Sequence, residues 1–279
     1  KKIFLDVLAG QKTERIPLWF MRQAGRYLPE YRKLRADKGG FLDMVYDPGA
    51  AAEVTVQPIR RFHMDAAILF SDILVVPHAL GQDLKFVAGE GPKLEPIRSE
   101  AELSRLDMGI QGARYEPVWN TVAQTRAMLD AEGYSDVALI GFAGSPWTVA
   151  TYMVEGAGSK DYFTVKSLAY RESEFFGKLI DILVQSTSDY LIGQVKAGAE
   201  ALQLFDSWSG VLDETQFAKW VVAPTARIVE NIRKVYPDIP IIGFPKGAGM
   251  FYPEYIKKTK VTAVGLDAQM PLDWSVENI

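Results

Sequence analysis

Short apolar runs alternate with longer amphipathic stretches along this chain of 279 residues. Six of the runs are apolar on both faces, without the polar alternation of a half-exposed strand. This pattern is typical of parallel strands buried between helices. The runs are Ile16–Met21, Ala66–Ser71, Val137–Phe142, Ala201–Phe205, Ile239–Phe244 and Thr262–Leu266. Because the stretches between them are helical in pattern, the sequence predicts an α/β fold with a parallel sheet.

Three of the intervening stretches carry clear helix signals. The Asp-Pro pair that opens residues 47–62 is typical of an N-cap followed by proline in the first turn. Residues 172–196 repeat apolar side chains at helical spacing. Residues 214–236 form another helical pattern, which we expect to kink at Pro224. The glycine-rich residues 84–94 predict a small surface excursion or hairpin.

Polar residues distinguish between two folds that fit this order of elements. In a (β/α)8 barrel, several strands contribute site residues at their C-terminal ends, whereas a doubly wound sheet concentrates its signal in one Gly-x-Gly-x-x-Gly turn. No such turn follows the first predicted strand, and polar residues follow all six. They are Arg22, Asp72, Ser145, Asp206 with Ser207, Lys246 and Asp267. The sequence therefore predicts one TIM-like (β/α)8 barrel domain over residues 1–279, truncated after about six βα units.

Composition limits the chemistry. The formal net charge is −4, which argues against a nucleic-acid partner. The absence of cysteine excludes disulfides, thiolate nucleophiles and cysteine-ligated zinc, and we interpret His63 and His78, which lack ligand spacing, as structural. No metal is therefore expected. Without a signal-peptide core or an apolar run long enough to span a membrane, we expect a cytoplasmic protein with no membrane association.

Two arginines stand where the first predicted strand ends. Arg22 and Arg26 lie in the stretch Met21–Arg32, with Gln23 and Gly25 between them. A guanidinium is a planar fork of donors that pairs with carboxylates or phosphates and stays charged at any working pH. Against an acidic background, two such groups predict a pocket for a small ligand that carries several anionic groups.

Asp72 is the second candidate, because it lies in the strongly apolar run of residues 66–76. A carboxylate in such a run is expensive unless it is paired or hydrogen-bonded. One interpretation is a structural aspartate that accepts backbone N–H groups. The other is a buried carboxylate that faces the same cavity as the arginines, where it binds ligand donors or stabilises a developing cation.

Further candidates follow the later strands. Phe142 offers a flat apolar surface, Tyr152 a hydroxyl at the cavity edge, and Ser207 either a site hydroxyl or a cap for the next turn. Lys246 lies in the glycine-rich residues 243–249, which resemble a phosphate-binding loop. An imine-forming lysine is the other interpretation of Lys246.

Together these stretches resemble the uroporphyrinogen decarboxylase family over essentially the whole chain. The matching motifs are Met21–Arg32, Asp65–Pro77, Gly141–Trp147, Thr151–Gly156, Phe205–Trp208 and Gly243–Lys246. The resemblance implies a distorted (β/α)8 barrel, a homodimer and a reaction without a cofactor. In that reaction the four acetate side chains of uroporphyrinogen III become methyls, which gives coproporphyrinogen III and four CO2.

The resemblance also implies roles for individual residues. Arg22 and Arg26 match arginines that face the substrate carboxylates, Asp72 the aspartate that accepts the pyrrole N–H groups, and Tyr152 and Ser207 hydroxyls that hydrogen-bond carboxylates. The implied substrate-binding residues are Arg22, Gln23, Ala24, Gly25, Arg26, Asp72, Phe142, Tyr152 and Ser207, and the implied catalytic residues are Asp72, Arg22 and Tyr152.

The chain departs from the family at its end, because the family continues past Ile279 with a Gly-His-Gly stretch whose histidine lies at the active site. Three alternatives follow. A related barrel methyltransferase generally needs zinc held by His and Cys, and the chain has no cysteine. An aldolase-type enzyme would use Lys246. A tetrapyrrole-binding protein without enzymatic activity would bind uroporphyrinogen and release no CO2.

Overall fold

A curved parallel sheet forms the centre of the computed structural model, which describes residues 1–87 and 89–279. The strands in these residues are β1 (Ala66–Ile68), β2 (Leu84–Val87), β3 (Gly91–Leu94), β4 (Ala138–Gly144), β5 (Ala201–Asp206), β6 (Ile241–Pro245) and β7 (Ala263–Val264). The parallel sheet has the order β1-β4-β5-β6-β7. The strands β2 and β3 form a separate antiparallel hairpin.

Helices follow the strands and cover the sheet. They are α1 (Ile3–Leu8), α2 (Pro29–Lys38), α3 (Phe41–Val45), α4 (Pro48–Phe62), α5 (Val75–Ala79), α6 (Glu100–Leu103), α7 (Gln111–Ala131), α8 (Pro146–Glu155), α9 (Phe163–Arg171), α10 (Ser173–Ala197), α11 (Glu214–Phe217), α12 (Ala223–Val235), α13 (Tyr252–Thr259) and α14 (Leu272–Asn278). The helix predicted from the Asp-Pro pair is confirmed as α4, since the carboxylate of Asp47 accepts from the amide of Ala50.

The strand order distinguishes the barrel from the doubly wound sheet. Strands are added in chain order, and the order nowhere reverses within the described part of the sheet. Every right-handed crossover then places its helix on the same face, so the sheet curls with helices outside and strand residues inside. A doubly wound sheet needs a reversal, which supplies its binding crevice. The predicted (β/α)8-type architecture is therefore confirmed.

The first predicted strand was wrong. Residues 16–21 form no strand, and a backbone bond from the amide of Asp65 to the carbonyl of Leu18 (2.9 Å) joins them to the residue before β1. Alternate apolar side chains are exposed, with Ile16 at 89% and Leu18 and Phe20 each at 54%, whereas Trp19 packs edge-on against Phe4. A run of apolar residues predicts a strand only where a neighbouring strand supplies the hydrogen bonds.

The kink expected in residues 214–236 has a specific local cause. The short helix α11 continues into a π-helical turn, Ala218–Val222, and then into α12. Pro224 lies in the first turn of α12, where its missing N–H removes a bond that an uninterrupted α-helix would make. The widened turn accommodates the proline.

The hairpin predicted in residues 84–94 is confirmed for β2 and β3, while Ala88 lies outside the described residues. It is more than a surface excursion. Phe86 of β2 packs against Phe41 of α3, with ring centroids 4.6 Å apart. The hairpin and α3 thus form an aromatic wall beside the carboxyl end of β1.

Candidate active site

A cavity of about 990 Å³ opens at the carboxyl ends of the parallel strands. Its walls are mostly apolar and aromatic, and they come from β1, β4, β5 and β6, from the hairpin and from the segment after residue 20. The charged groups in the described part of the lining are Arg22, Asp72 and Lys246. The cavity therefore offers two cations and one carboxylate inside a largely apolar enclosure.

Asp72 is the carboxylate in this enclosure. It follows β1 in a short loop, where its Oδ1 accepts from the amide of Leu74 (2.8 Å), and its side chain remains partly accessible from the cavity. Burial raises the pKa of Asp72 to about 6, although the Leu74 amide and the charge of Arg22 both act to lower it. The group is thus an anion above about pH 6, and its protonation lies within reach of ordinary conditions.

The arginine stretch contributes Arg22, Gln23 and Ala24 to the lining. Gln23 is only 2% exposed; its Oε1 accepts from the amide of Phe20 (3.1 Å), whereas its buried Nε2 has no hydrogen-bond partner. An unpaired buried donor is costly, so a ligand acceptor beside Gln23 would recover that free energy. Gln23 therefore fits a position that contacts an anionic ligand.

Gly25 and Arg26, which the sequence grouped with Arg22, lie outside the cavity lining in the described residues. Gly25 opens a turn in which its carbonyl accepts from the amide of Leu28 (3.0 Å). Arg26 is exposed, and its carbonyl accepts from Nη1 of Arg32 (2.7 Å). Of the two predicted guanidinium groups, the structure therefore places that of Arg22 in the cavity lining and that of Arg26 outside it.

Phe142, Tyr152 and Ser207 all line the cavity, as the sequence predicted. The ring of Tyr152 stacks on that of Trp208, with centroids 4.2 Å apart and planes inclined by 34°. Burial, with a smaller contribution from the charge of Asp72, raises the pKa of Tyr152. The phenol therefore keeps its proton at working pH and can donate a hydrogen bond to a ligand.

A family model described as "Uroporphyrinogen decarboxylase (URO-D)" matches residues 1–279. The chain belongs to the uroporphyrinogen decarboxylase family. The uroporphyrinogen decarboxylase of Novosphingobium aromaticivorans is 55% identical over 275 residues, which cover 99% of this chain and 79% of that protein. The uroporphyrinogen decarboxylase of Rhodospirillum rubrum is 51% identical over 279 residues, which cover 100% of this chain and 79% of that protein.

A solved structure adds evidence on the fold. A methyltransferase from Methanosarcina mazei matches with a TM-score of 0.70 at 14% sequence identity, over 94% of this chain and 74% of that chain. At this identity the likeness concerns the barrel architecture alone. The family match over the whole chain instead identifies a decarboxylase family, so the methyltransferase interpretation is not supported.

Asp206 points away from the cavity of this family member, although it ends β5 and immediately precedes Ser207. It is 1% exposed, and its Oδ1 accepts from the hydroxyl of Thr148 on α8, whose Oγ1 in turn accepts from the amide of Trp208 (3.1 Å). Burial raises the pKa of Asp206 to about 7, while its Oδ2 is buried without a hydrogen-bond partner. Asp206 and Thr148 therefore hold the loop of Ser207 and Trp208 from behind.

Other residues that the sequence singled out are also structural. Trp147 is fully buried and its Nε1 donates to the carbonyl of Trp208 (3.0 Å). Asp267 accepts from the amide of Gly247 (2.7 Å) and from the hydroxyl of Tyr252 (3.1 Å). Ser145, at the N-terminus of α8, is fully buried. Each supports an element of the site without facing the cavity.

The two histidines have separate structural roles. Nδ1 of His78 lies 2.7 Å from the hydroxyl of Tyr46, and burial, assisted by Arg114, lowers the pKa of His78. His63 caps the C-terminus of α4 in the left-handed conformation, with φ of 50°. Within residues 1–87 and 89–279 there is no cluster of three or more potential metal ligands, and no helix is long and apolar enough to cross the membrane.

Sequence reasoning missed the aromatic walls. Phe41, Phe86 and Tyr162 line the cavity from α3, from the hairpin and from the residue before α9. Phe41 also packs edge-on against Phe70 (centroids 5.7 Å apart). No short motif marks these residues, since each lies far in sequence from the carboxyl ends of the parallel strands. The one local signal was an aromatic residue, Phe86, in the predicted hairpin that follows α5.

Proposed function

We propose that this chain catalyses the decarboxylation of the four acetate side chains of uroporphyrinogen III to methyls, giving coproporphyrinogen III and four CO2. The observation that carries the proposal is the position of Asp72, the one carboxylate in the described lining of an otherwise apolar and cationic cavity, in a member of the uroporphyrinogen decarboxylase family. The substrate brings pyrrole N–H donors and eight carboxylates to this cavity, and the lining supplies partners for both.

Each decarboxylation needs a place for the electron pair of the breaking bond. A proton adds to the pyrrole carbon next to the acetate, and the ring becomes a cation. The carbon–carbon bond to the carboxylate then breaks, its electron pair neutralises the ring, and CO2 leaves. The exocyclic carbon takes up a proton to become a methyl, and the ring carbon gives its proton back. The net change per acetate is one proton consumed and one CO2 released.

Asp72 acts on the charge that develops in this sequence. Its carboxylate accepts hydrogen bonds from pyrrole N–H groups and lies beside the ring when the ring is cationic. The stabilisation is larger in the transition state than in the ground state, as catalysis requires. Because the walls are apolar, water screens the interaction little.

Arg22, Gln23 and Tyr152 bind the carboxylates that surround the ring. Arg22 has no ion pair within the described residues, so its guanidinium is free to pair with a substrate carboxylate. Gln23 supplies its unpartnered Nε2, and the neutral phenol of Tyr152 supplies a donor. Ser207 adds a hydroxyl from the loop after β5, and Phe142 an apolar wall. Catalytic roles fall to Asp72, Arg22 and Tyr152.

The test is an anaerobic assay of the purified chain with uroporphyrinogen III, with the products oxidised and separated by carboxylate number. We expect porphyrins with seven, six, five and four carboxylates to appear in turn. Binding of uroporphyrinogen without any loss of carboxylates would instead identify a tetrapyrrole-binding protein. The absence of both binding and turnover would contradict the proposal altogether.

A homodimer, a cytoplasmic location and a reaction without metal or cofactor complete the proposed function. Each is a prediction from the family resemblance or from composition. Sedimentation of the purified chain tests the dimer, and activity that survives dialysis against a chelator tests the independence from metal.

A further inference from the structure

Lys246 is a cation of the cavity lining to which the proposed function gives no role. It follows β6, and its side chain is exposed. Within residues 1–87 and 89–279, its ammonium group makes no ion pair and no hydrogen bond, unlike the paired Lys258 on α13. A lysine that only solubilised the surface would not need to stand in the cavity of an enzyme for an anionic substrate.

The backbone around Lys246 is held firmly to the loop that carries Ser207. Its amide donates to the carbonyl of Asp206 (3.0 Å), and its carbonyl accepts from Oγ of Ser209 (2.9 Å) and from the amide of Gly210 (3.0 Å). These bonds join the ends of β5 and β6 into one frame. The side chain of Lys246 thus starts from a fixed point in the wall next to Ser207.

Two glycines allow this frame to close. A Cβ on Gly210 would lie 2.6 Å from the carbonyl oxygen of Gly247, a distance that real Cβ atoms essentially never show. Gly247 itself has a positive φ of 80°, and its amide is bound by Asp267. Gly210 and Gly247 therefore serve close backbone packing, and the loop is a support for Lys246.

The two roles that the sequence suggested for Lys246 do not fit. A phosphate-binding loop needs free amides, but those of Lys246, Gly247 and Ala248 all donate to protein oxygens. An imine needs an aldehyde or ketone carbonyl, and a uroporphyrinogen carries only carboxylates on its side chains. A carboxylate remains as the group that the ammonium of Lys246 can bind.

We propose that Lys246 binds a side-chain carboxylate of the tetrapyrrole, from the wall of the cavity that the ends of β5 and β6 form. The proposal rests on the proposed function for its ligand. Arg22 follows the segment beside β1, whereas Lys246 follows β6, and two strands lie between β1 and β6. The two cations therefore belong to different elements of the lining, and each can bind a carboxylate of the same substrate. The substrate is then held by a cation on each of these two elements, in the cavity that also holds Asp72.

The experiment compares Lys246→Met, Lys246→Arg and a matched control, Lys257→Met. Lys257 is exposed on α13, lies outside the described cavity lining and makes no ion pair within the described residues, so the control removes the same charge elsewhere. With uroporphyrinogen III we expect Lys246→Met to raise KM about tenfold while kcat stays within about twofold, as for a lost charge-assisted bond. Lys246→Arg restores most of the affinity, and Lys257→Met changes neither constant.

A second measurement separates this proposal from the proposed function. Fluorescence titration with uroporphyrin, the stable eight-carboxylate analogue, reports binding without turnover. Suppose that the unmodified chain releases no CO2, and that Lys246→Met, but not Lys257→Met, binds uroporphyrin more weakly. This result would support the role of Lys246 and contradict the proposed decarboxylase function. Normal turnover with an unchanged KM in Lys246→Met would support the proposed decarboxylase function and contradict the role of Lys246. Equal weakening by Lys257→Met, or no uroporphyrin binding by the unmodified chain, would overturn the role of Lys246.

Discussion

Two buried aspartates at the carboxyl ends of parallel strands differ in the direction that they face. Burial raises the pKa of both, to about 6 for Asp72 and to about 7 for Asp206. Asp72 faces the cavity and has one bond from the Leu74 amide, whereas Asp206 faces the helices and is bound by Thr148. A perturbed pKa therefore marks burial in both cases, and only access to the cavity distinguishes a catalytic carboxylate from a structural one.

Removing the charge of each aspartate in turn tests the difference between them most directly. We expect Asp72→Asn to lower kcat/KM for uroporphyrinogen about 10²- to 10³-fold, because the amide no longer offers a negative charge to the ring cation. For Asp206→Asn we expect kcat/KM to stay within about threefold of that of the unmodified chain, since an amide resembles the neutral acid that burial favours at this position.

Circular dichroism and thermal unfolding of both variants check that the fold is intact. Near-normal coproporphyrinogen production by Asp72→Asn would contradict its role. An equal loss of activity in Asp206→Asn, with an unchanged unfolding temperature, would show that facing the cavity is not the property that matters.

The second prediction concerns the pH dependence of stability. A carboxyl whose pKa is raised in the folded state keeps its proton there at a pH at which the unfolded chain, with the ordinary pKa of 3.8, has lost it. The free energy of unfolding therefore falls as pH rises from about 4 to the folded pKa, and then levels off. Between pH 5 and pH 8 the expected loss is on the order of 2 kcal/mol for Asp206 and about 1 kcal/mol for Asp72.

Urea unfolding at pH 5, 6, 7 and 8 measures these slopes. Asp206→Asn should flatten the profile up to about pH 7, and Asp72→Asn by a smaller amount up to about pH 6. A profile of Asp206→Asn that runs parallel to that of the unmodified chain would mean that Asp206 is ionised when folded.

The sequence already held part of the information that separates the two aspartates. In a strand, successive side chains point to opposite faces. With Phe205 and Ser207 in the cavity wall, the residue between them must face the helices, as Asp206 does. Alternation could have predicted this from the sequence. For Asp72 it could not, because the residue lies in a loop past β1, where direction depends on the turn.

The arginine stretch shows a limit of the same kind. Residue types and spacing predicted Arg22 in the pocket, and the structure has it in the cavity lining, although the strand predicted before it does not form. They could not place Arg26, since it lies within a hydrogen-bonded turn from Gly25 to Leu28 and outside the described cavity lining. Likewise the apolar pattern predicted β4, β5 and β6 well, because other strands flank each of them. It failed for residues 16–21, which form no strand and leave Ile16, Leu18 and Phe20 exposed.

The third prediction concerns the partner of Asp206. Thr148→Val keeps the shape of the side chain but removes the donor to Asp206 and the acceptor for the Trp208 amide. We expect a loss of about 1 to 2 kcal/mol in the free energy of unfolding at pH 8, because buried polar groups lose their partner. Thr151→Val is the matched control, since the hydroxyl of Thr151 on the same helix bonds only to the carbonyl of Trp147. Equal effects of the two substitutions would remove the reason to assign Asp206 a supporting role.

We expect the smallest effect for two serines of one loop, Ser207 and Ser209. Ser207 lines the cavity, while Ser209 is fully buried and its Oγ donates to the carbonyl of Lys246 (2.9 Å). Ser207→Ala should raise KM for uroporphyrinogen by about threefold to tenfold, the effect of one lost hydrogen bond, and leave the unfolding temperature unchanged. Ser209→Ala should lower the unfolding temperature, because the frame between β5 and β6 loses a bond. Steady-state kinetics and thermal unfolding of both variants measure KM and the unfolding temperature. A change in KM for Ser209→Ala without loss of stability would contradict the assignment of Ser209 to the frame and of Ser207 to the substrate.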